Sequence, residues 1–439
     1  MDTIFALATA PGKSGVAVIR ISGNAAKNAL AAFGVNEIPV PRIATLATLK
    51  QDNEAIEKAL LLYFPAPHSF TGEDVVEIHC HGSRAVIKKL IGLLAALPGL
   101  RMAEPGEFAR RAFLNGKMDL TAAEGLADLI DAETEAQRKQ AMRSMDGDAA
   151  RFYEELRESI LHTLAFLEAY IDFPDEDIPE EVLGEIDAEI QSAIQTATSQ
   201  LSGSEASERI REGICIAILG APNAGKSSLM NLLARRDVAI VSGIAGTTRD
   251  VIEVHLDIKG YPVVLADTAG IRENTDSIEQ EGIRRSLERA KTADIKLLVL
   301  DATSPLSQDI ASIASGNTII ILNKSDLAPQ NNVMPVYGVM PILFSVKERS
   351  GVDELLQAIE HRILATVPQE ESFVTHSRHR AHLTAALTHL TRYEGLRAQG
   401  LELRCEELRR AATEVGRITG KITSDEVLGH IFSSFCIGK

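Results

Sequence analysis

The sequence predicts a multidomain fold that combines α/β domains with an all-α domain. Its 439 residues exceed the usual size of one compact domain. Short apolar runs alternate with helical patterns near the N-terminus and again further along the chain, whereas two other stretches carry helical periodicity almost throughout. We therefore expect an α/β domain at 1–118, a helical domain built from 119–210 and 366–439, and a second α/β domain inserted at 211–365.

The amino-acid composition favours a globular protein and argues against a membrane protein or a nonspecific nucleic-acid binder. A hydrophobic content of 45% suits a globular protein, and a net charge of −16 argues against nonspecific binding of nucleic acid. The cysteines at positions 80, 215, 405 and 436 have no framework spacing, so we expect free thiols in a reducing cytosol. Pro11 interrupts the first apolar stretch, and no run reaches the roughly 20 apolar residues that span a bilayer. These features predict a soluble, cytoplasmic protein with no membrane partner.

The first α/β segment begins with the strand-like runs "DTIFALATA" and "GVAVIRISG". "DVVEIHCHG" predicts another strand, and "RAVIKKLIGLLAAL" predicts the helix after it. In a strand, His79 and His81 share one face while Cys80 points away, so a metal site here would need further ligands. The helical segment opens with Thr121 and Glu124 in the spacing of a capping box.

The sequence "GAPNAGKS" at 220–227 matches the Walker A phosphate loop. The strand-like run "ICIAIL" precedes it and a helical pattern follows it, as that loop requires. The glycines let backbone N–H groups converge on phosphate oxygens, Lys226 would reach the β- and γ-phosphates, and Ser227 would bind Mg²⁺. "APGKSG" near the N-terminus also contains Gly-Lys-Ser, but Leu7 stands where the first glycine is needed, so we interpret it as a turn.

Two further motifs follow predicted strands. In "DTAG" (267–270), Asp267 would hold Mg²⁺ through water and the Gly270 N–H would contact the γ-phosphate. In "NKSD" (323–326), Asp326 can accept two hydrogen bonds from guanine, whereas adenine offers no such donor pair. Two bonds to a charged group, worth about 1.5–3 kcal/mol each, would favour guanine by about a hundredfold or more. "SVK" at 345–347 would back the base, although GTPases usually carry alanine at the position of Val346.

Hydrolysis of GTP would need a side chain that orients the attacking water, and the residue that does so in Ras-like proteins is missing here. Ile271 stands where Ras-like proteins carry glutamine, so another group must orient the water. Asn223 offers an oxygen to a monovalent cation, and Glu279 is a candidate for orienting water. The predicted GTP-binding residues are Asn223, Ala224, Gly225, Lys226, Ser227, Ser228, Ser242, Gly243, Ile244, Ala245, Gly246, Thr247, Thr248, Asp267, Thr268, Ala269, Gly270, Asn323, Lys324, Ser325 and Asp326.

Stretches outside these motifs carry a family resemblance over essentially the whole chain. "HSFTGEDVVEIHCHG", "EPGEFARRAFLNGKMDLTAAEGLADLIDAET" and "GRITGKITSDEVLGHIFSSFCIGK" resemble the MnmE (TrmE) family of tRNA modification GTPases. The resemblance implies an N-terminal domain that binds folate and dimerises, a central helical domain and an inserted Ras-like G domain. It also implies a homodimer, and a complex with an FAD-dependent partner, MnmG (GidA). Together these proteins add an aminomethyl-type (carboxymethylaminomethyl) group to carbon 5 of the wobble uridine of certain tRNAs.

The resemblance also assigns roles to individual residues. It implies a K⁺-dependent GTPase, a one-carbon unit from 5-formyl- or methylene-tetrahydrofolate, and Glu279 as the catalytic glutamate. Ser242 stands where other members often carry threonine, which leaves a backbone carbonyl ligand unaffected. The implied sites are K⁺ at Asn223, Ser242, Ile244 and Thr247, Mg²⁺ at Ser227 and Thr248, and folate at Arg20, Glu77, Lys117 and Lys439.

Two other functions stay open on the sequence alone. One is a regulatory or ribosome-assembly GTPase without modification chemistry, and the other is a P-loop ATPase or kinase. The C-terminal "FCIGK" follows an apolar helical stripe that Ser424 or Thr423 can cap. The residues alone also allow Cys436 to be a free thiol on a disordered end, whereas the resemblance implies that the tail points toward the folate site, with Cys436 as a candidate for the one-carbon chemistry.

Overall fold

The computed structural model describes residues 2–172, 180–235, 238–240, 253–267, 292–305, 317–327, 334–336, 338–366, 372–397 and 399–438. The chain divides into two compact units, each of which is made from separate chain segments. The first unit comprises Met1–Ala127, Ser144–Glu155 and Val415–Lys439, and the second comprises Asp128–Arg143 and Leu156–Glu414. The predicted combination of α/β and all-α elements is confirmed.

The first unit contains a six-stranded sheet, in which the strand-like runs of the sequence form strands as predicted. The strands are β1 (Thr3–Leu7), β2 (Ser14–Ser22), β3 (Thr45–Gln51), β4 (Glu54–Phe64), β5 (Val75–Gly82) and β6 (Leu100–Met102). Their order in the sheet is β3-β4-β5-β2-β1-β6. Neighbouring strands are antiparallel except for β1 and β6, which run parallel.

The two faces of this sheet carry different cores because strand side chains alternate between faces. Helix α1 (Arg84–Ala95) covers one face, where Leu90 and Leu94 pack in the same buried cluster as Ile19 and Ile21. On the other face, Ile4, Ala6 and Phe108 form a smaller cluster with helix α2 (Glu107–Leu114). Arg20 lies between Ile19 and Ile21 in sequence and therefore points to this second face.

Helix α3 (Leu120–Asp131) begins before Thr121, the residue that the capping-box pattern places ahead of the helix. The first N–H groups of the helix donate hydrogen bonds to Asp119, whose Oδ1 lies 2.8 Å from the Thr121 N and 3.2 Å from the Ala122 N. Thr121 itself donates its hydroxyl to the same carboxylate at 2.5 Å and is buried. The prediction that Thr121 caps the helix was wrong, because a charged acceptor two residues earlier binds the free N–H groups more strongly than a hydroxyl.

The helices of the second unit are joined by contacts between charged and aromatic side chains. Arg404 and Tyr393 both reach Asp187, at 2.5 and 3.2 Å, and the Arg404 guanidinium lies 4.1 Å from the Tyr393 ring centre. Burial, the largest influence, raises the pKa of the Tyr393 hydroxyl. Asp187 lies in α6 (Glu180–Ser202), Tyr393 in α10 (Ser377–Gly395) and Arg404 in α11 (Leu401–Thr419). The other helices that lie wholly or partly in this unit include α4 (Glu135–Met145), α5 (Asp148–Asp172) and α7 (Ser204–Glu212).

The second unit also contains a six-stranded sheet. Its strands are β7 (Ile214–Leu219), β8 (Glu253–Ile258), β9 (Tyr261–Asp267), β10 (Ile295–Asp301), β11 (Thr318–Asn323) and β12 (Ile342–Leu343). Their order is β12-β11-β10-β7-β9-β8, and every neighbouring pair is parallel except β8 and β9. The central strands are buried apolar runs, as expected for a parallel sheet covered on both faces. Helices α8 (Lys226–Ala234) and α9 (Val352–Thr366) contribute to its core.

Candidate functional site

The predicted phosphate loop connects the carboxyl end of β7 to α8, as the Walker A motif requires. Gly220 has φ +146°, and a Cβ built on it would lie 2.2 Å from the Val299 carbonyl oxygen. Gly225 caps α8 with φ +102°, and its Cβ would lie 2.1 Å from the Asn323 Nδ2. Both positions therefore require glycine, and the loop forms a backbone cradle at a helix N-terminus, where a phosphate group fits.

The Lys226 side chain folds back over this loop. Its Nζ donates hydrogen bonds to the carbonyl oxygens of Gly220 and Ala221, both at 2.9 Å. Asn223, at the tip of the loop, has a left-handed backbone with φ +64°. The ammonium group therefore lies where phosphate oxygens held by the loop would meet a positive charge.

The NKSD motif lies beside the phosphate loop and is bonded to it. Asn323 donates from Nδ2 to the Ala224 carbonyl at 2.8 Å, and its Oδ1 accepts from the Val346 N–H at 3.4 Å. Asp326 accepts a hydrogen bond from the Ser345 hydroxyl at 2.6 Å. The phosphate loop, NKSD and SVK, far apart in sequence, thus meet at the carboxyl edge of one sheet, where ligands bind in open α/β folds.

Lys324 links NKSD to a residue that the sequence motifs did not indicate. It has φ +63°, and its Nζ lies 2.6 Å from the Asp301 Oδ2 at the end of β10. The hydrogen bond from Lys324, followed by two from Thr303, lowers the pKa of Asp301 to about 2. The feature of the sequence that could have indicated this ion pair is an acidic residue at the end of the strand-like run before the NKSD strand.

The DTAG motif begins at the end of β9, where Asp267 pairs in register with Ile218 of β7. Its backbone therefore lies beside the strand that leads into the phosphate loop. Ser227 and Ser228 lie in the first turn of α8. The other predicted nucleotide and cation residues, together with the terminal lysine, lie outside the described residues: Ser242, Gly243, Ile244, Ala245, Gly246, Thr247, Thr248, Thr268, Ala269, Gly270, Glu279 and Lys439.

The β8–β9 hairpin, which ends at the first residue of DTAG, contacts the start of α4. The Ala136 N–H donates to the Gly260 carbonyl at 3.0 Å, and His255 lies 3.2 Å from Glu133. A cavity of about 580 Å³ adjoins this contact, and none of the predicted site residues lines it. The sequence offered no signal for this contact, because it depends on tertiary packing.

The predicted folate residues Arg20 and Glu77 are brought together by the N-terminal sheet. They face each other across β2 and β5, and the Arg20 Nε donates to Glu77 at 2.9 Å. The guanidinium lies 5.3 Å from the Phe70 ring centre and 5.7 Å from that of Phe108, two neighbours that the sequence did not indicate. Lys117 is exposed just after α2, near Gly72.

The "HCHG" segment pairs its histidines with carboxylates. His79 Nε2 lies 3.1 Å from Glu77, and His81 Nδ1 lies 3.0 Å from Glu57. Cys80 is buried on the opposite face, as strand alternation predicts. Burial, the largest influence, raises the pKa of its thiol, which favours a packing role.

The C-terminal tail docks on the first unit. Ser424 caps helix α12 (Asp425–Ser433), and Leu428, Phe432 and Phe435 are buried with residues of α2 and α3, whereas Val427 is 39% exposed. Beyond the helix, Ile437 pairs with Pro105, and the Gly106 N–H donates to the Cys436 carbonyl at 3.4 Å. Gly438 then approaches the Leu7 carbonyl, one residue beyond the β1 position that pairs with Arg20. Cys436 itself is exposed.

The sheet, phosphate loop and NKSD motif together define a P-loop protein of the GTPase class. Family profiles match twice: "GTP-binding protein TrmE N-terminus" over residues 3–117 and "MnmE helical domain" over residues 120–436. Proteins named tRNA modification GTPase MnmE from Rickettsia bellii, Paramagnetospirillum magneticum and Rhodospirillum rubrum are 47%, 48% and 47% identical, with 100% of both chains covered in each case. The chain belongs to the MnmE family of tRNA modification GTPases. No described helix is both long and apolar enough to cross a bilayer.

Proposed function

We propose that this chain hydrolyses GTP and uses the cycle in tRNA modification. The observation that carries the proposal is the 2.8 Å hydrogen bond from Asn323 to the Ala224 carbonyl. One amide joins the loop that would hold phosphates to the loop that would recognise the base. The full-length relatives named tRNA modification GTPases support the same function.

The phosphate loop would bind and neutralise the triphosphate. Its backbone N–H groups and the α8 N-terminus would attract the phosphate oxygens. Lys226 would give up its hydrogen bonds to two loop carbonyls and donate to the phosphate oxygens instead. The cradle at Gly220 and Gly225, which a Cβ would fill, fits the nucleotide. Mg²⁺, when bound, supplies charge neutralisation at the β- and γ-phosphates. Ser227, Thr248 and Asp267 would hold it.

Asp326 would select guanine. We expect Asp326→Asn to weaken GTP binding by about a hundredfold and to improve binding of xanthosine triphosphate, whose base carries an oxygen in place of the exocyclic amine. Fluorescent-nucleotide titration measures both affinities, with Asp353→Asn in α9 as a control. Equal affinity of the unmodified chain for ATP and GTP would support an ATPase or kinase and contradict the guanine assignment.

Hydrolysis would depend on K⁺ held by Asn223 and by Ser242, Ile244 and Thr247. A monovalent cation near the β–γ bridge stabilises the charge that develops during transfer. Glu279 would orient the attacking water. Steady-state hydrolysis in K⁺ and Na⁺ tests this proposal: we expect a large preference for K⁺ that Asn223→Ala abolishes, and equal rates in both salts would refute it.

The N-terminal site would bind a tetrahydrofolate derivative, the 5-formyl or methylene form. Glu77 can accept from the donor edge of a pteridine ring, Phe70 and Phe108 lie near its partner Arg20, and the cations Lys117 and Lys439 would attract a glutamate tail. Calorimetry with 5-formyltetrahydrofolate should show binding that Glu77→Gln weakens at least tenfold. Glu54→Gln, an exposed carboxylate at the start of β4, is the control.

The tail would deliver Cys436 to this site for the one-carbon chemistry. Its docking beside the strand position that pairs with Arg20 supports this role. Tetrahydrofolate binding that persists in Cys436→Ser while tRNA modification is lost would assign the role to the sulfur. Full modification by that variant would leave the tail as a positioning element.

The complete reaction would need partners. We propose a cytoplasmic homodimer that works with an FAD-dependent MnmG (GidA) partner to add the carboxymethylaminomethyl-type group to carbon 5 of the wobble uridine. The predicted domain limits, 1–118, 119–210, 211–365 and 366–439, belong to this proposal. Nucleoside analysis of tRNA from a deletion strain tests it. An unchanged modification profile would instead favour a regulatory or ribosome-assembly GTPase.

A further inference from the structure

The outer face of helix α1 carries only positive and small side chains. Its exposed residues fall within one 140° sector at 100° per residue, whereas Leu90 and Leu94 point into the core. No acidic residue occurs anywhere in the helix. The exposed residues on this face, which includes the C-cap, are Arg84, Ala85, Lys88, Lys89, Gly92, Ala95 and Ala96.

The three cations of this face have no carboxylate partner within ion-pair distance among the described residues. Lys13 is exposed and adds a further positive charge near this face. It lies there because its neighbour Ser14 pairs with Gly82, two residues before the helix begins. Glu57, at the same end of the sheet, is held by His81 and is only 10% exposed. The surface is therefore locally positive although the chain has a net charge of −16.

The charge balance of the N-terminal domain extends this observation. Residues 3–117 contain 13 Lys and Arg against nine Asp and Glu. Five of those nine carboxylates form ion pairs with four of the 13 Lys and Arg and with His81, which leaves nine Lys and Arg against four Asp and Glu among these residues. The engaged carboxylates are Glu57, Glu73, Asp74, Glu77 and Glu107.

We propose that the outer face of α1 binds the phosphate backbone of an RNA, which would be the tRNA substrate. Arg84 and Lys88 lie one turn apart, about 6 Å along the axis, and the small residues between them let a strand approach the helix closely. The face lies on the side of the sheet opposite Arg20 and Glu77, so it is separate from the candidate folate site. This inference rests on the proposed function in tRNA modification.

Charge variants of the full chain test the proposal through tRNA binding measured by fluorescence anisotropy over a range of KCl concentrations. Replacement of both lysines, Lys88→Gln with Lys89→Gln, should weaken binding about tenfold. It should also lower the slope of log affinity against log salt by about 2, because each lysine would neutralise one phosphate. The rate of GTP hydrolysis should not change. Unchanged affinity and slope would overturn the proposal.

Gly92 offers a matched pair of variants. It lies at the centre of the face, and a Cβ built on it meets nothing within 4 Å. Gly92→Glu places a carboxylate one turn after Lys88 and Lys89 and should weaken tRNA binding about tenfold, whereas the neutral Gly92→Gln should bind as the unmodified chain does. Equal tRNA binding by the two variants would contradict the proposal.

Other occupants of the face are distinguished by two further measurements. Binding of phosphatidylserine vesicles that depends on Lys88 and Lys89, without an effect on tRNA, would overturn the proposal in favour of a membrane surface. If Gly92→Glu dissociated a dimer and left the affinity for tRNA unchanged, the face would instead bind a second copy of this chain, and the proposal would be overturned. If the unmodified chain restores wobble-uridine modification in a deletion strain while all variants bind tRNA equally, only this inference fails. If it does not restore modification, the proposed function fails.

Discussion

Replacement of Gly438 by alanine should release the C-terminal tail from the first unit. Gly438 has φ +102°, where an L side chain costs about 1–2 kcal/mol. A Cβ there would also lie 2.3 Å from the Leu7 carbonyl oxygen and 2.9 Å from the Ala8 Cα. Both neighbours are backbone atoms of the N-terminal sheet region, so the tail must move instead.

The interactions that hold the tail are too weak to absorb this penalty. The Gly106 to Cys436 hydrogen bond is long at 3.4 Å, and the Pro105 bridge adds a short backbone pairing to Ile437. Backbone hydrogen bonds contribute about 0.5–1.5 kcal/mol each, and Ile437 is 52% exposed. A penalty of about 2 kcal/mol would lower the docking equilibrium about thirtyfold.

Hydrogen exchange measured by mass spectrometry should detect the release at Gly106, whose amide the tail protects. We expect its exchange in Gly438→Ala to be about thirtyfold faster, with the melting temperature nearly unchanged because α12 stays packed through Phe432 and Phe435. Gly429→Ala is the control, since its Cβ meets open space within the same helix. Protection at Gly106 equal to that of the unmodified chain would refute the reasoning.

Three further predictions concern the remaining sites. Hydrogen bonds from Lys324 and then from Thr303 lower the pKa of Asp301 from 3.8 to about 2, so the stabilisation from these contacts is present above about pH 4 and is lost as pH falls toward 2. Acid denaturation followed by circular dichroism should therefore be less steep for Asp301→Asn in that window, and identical curves would contradict the coupling. Asp119→Ala should lower the free energy of unfolding by about 1 kcal/mol by denaturant titration, and Thr121→Ala should cost less if Asp119 is the cap. Gly220→Ala should reduce nucleotide affinity at least tenfold, and affinity equal to that of the unmodified chain would exclude the close backbone approach.

Local sequence patterns predicted the parts of this molecule that depend on short-range chemistry. The phosphate loop required glycines at two tight backbone positions, and both occur at positive φ, as Gly225 illustrates. Strand alternation predicted that Cys80 faces away from His79 and His81. The domain limits stay predictions.

Contacts between distant segments were beyond the reach of those patterns. The Asp301 to Lys324 pair, the aromatic neighbours of Arg20 and the contact of Gly260 with α4 each depend on which elements become neighbours in space. Thr121 failed as a cap for a local reason. Asp119, two residues earlier, accepts from the first N–H groups of α3, and the Thr121 hydroxyl donates to the same carboxylate. The capping-box pattern pointed to Thr121 alone and did not indicate Asp119.

The docking of the tail has a consequence for the order in which a ribosome builds this protein. The first unit includes Met1–Ala127 and Val415–Lys439, so its helices α2 and α3 must wait for the last part of the chain before they are fully covered. The entropic cost of closing so long a loop rises only slowly with its length, but contacts of such separation form late. Until then α2 and α3 lack the cover of Phe432 and Phe435. Nascent chains halted before α12 would therefore expose the apolar surface of α2 and α3. Chaperones that bind apolar surface would bind these incomplete chains in preference to complete ones.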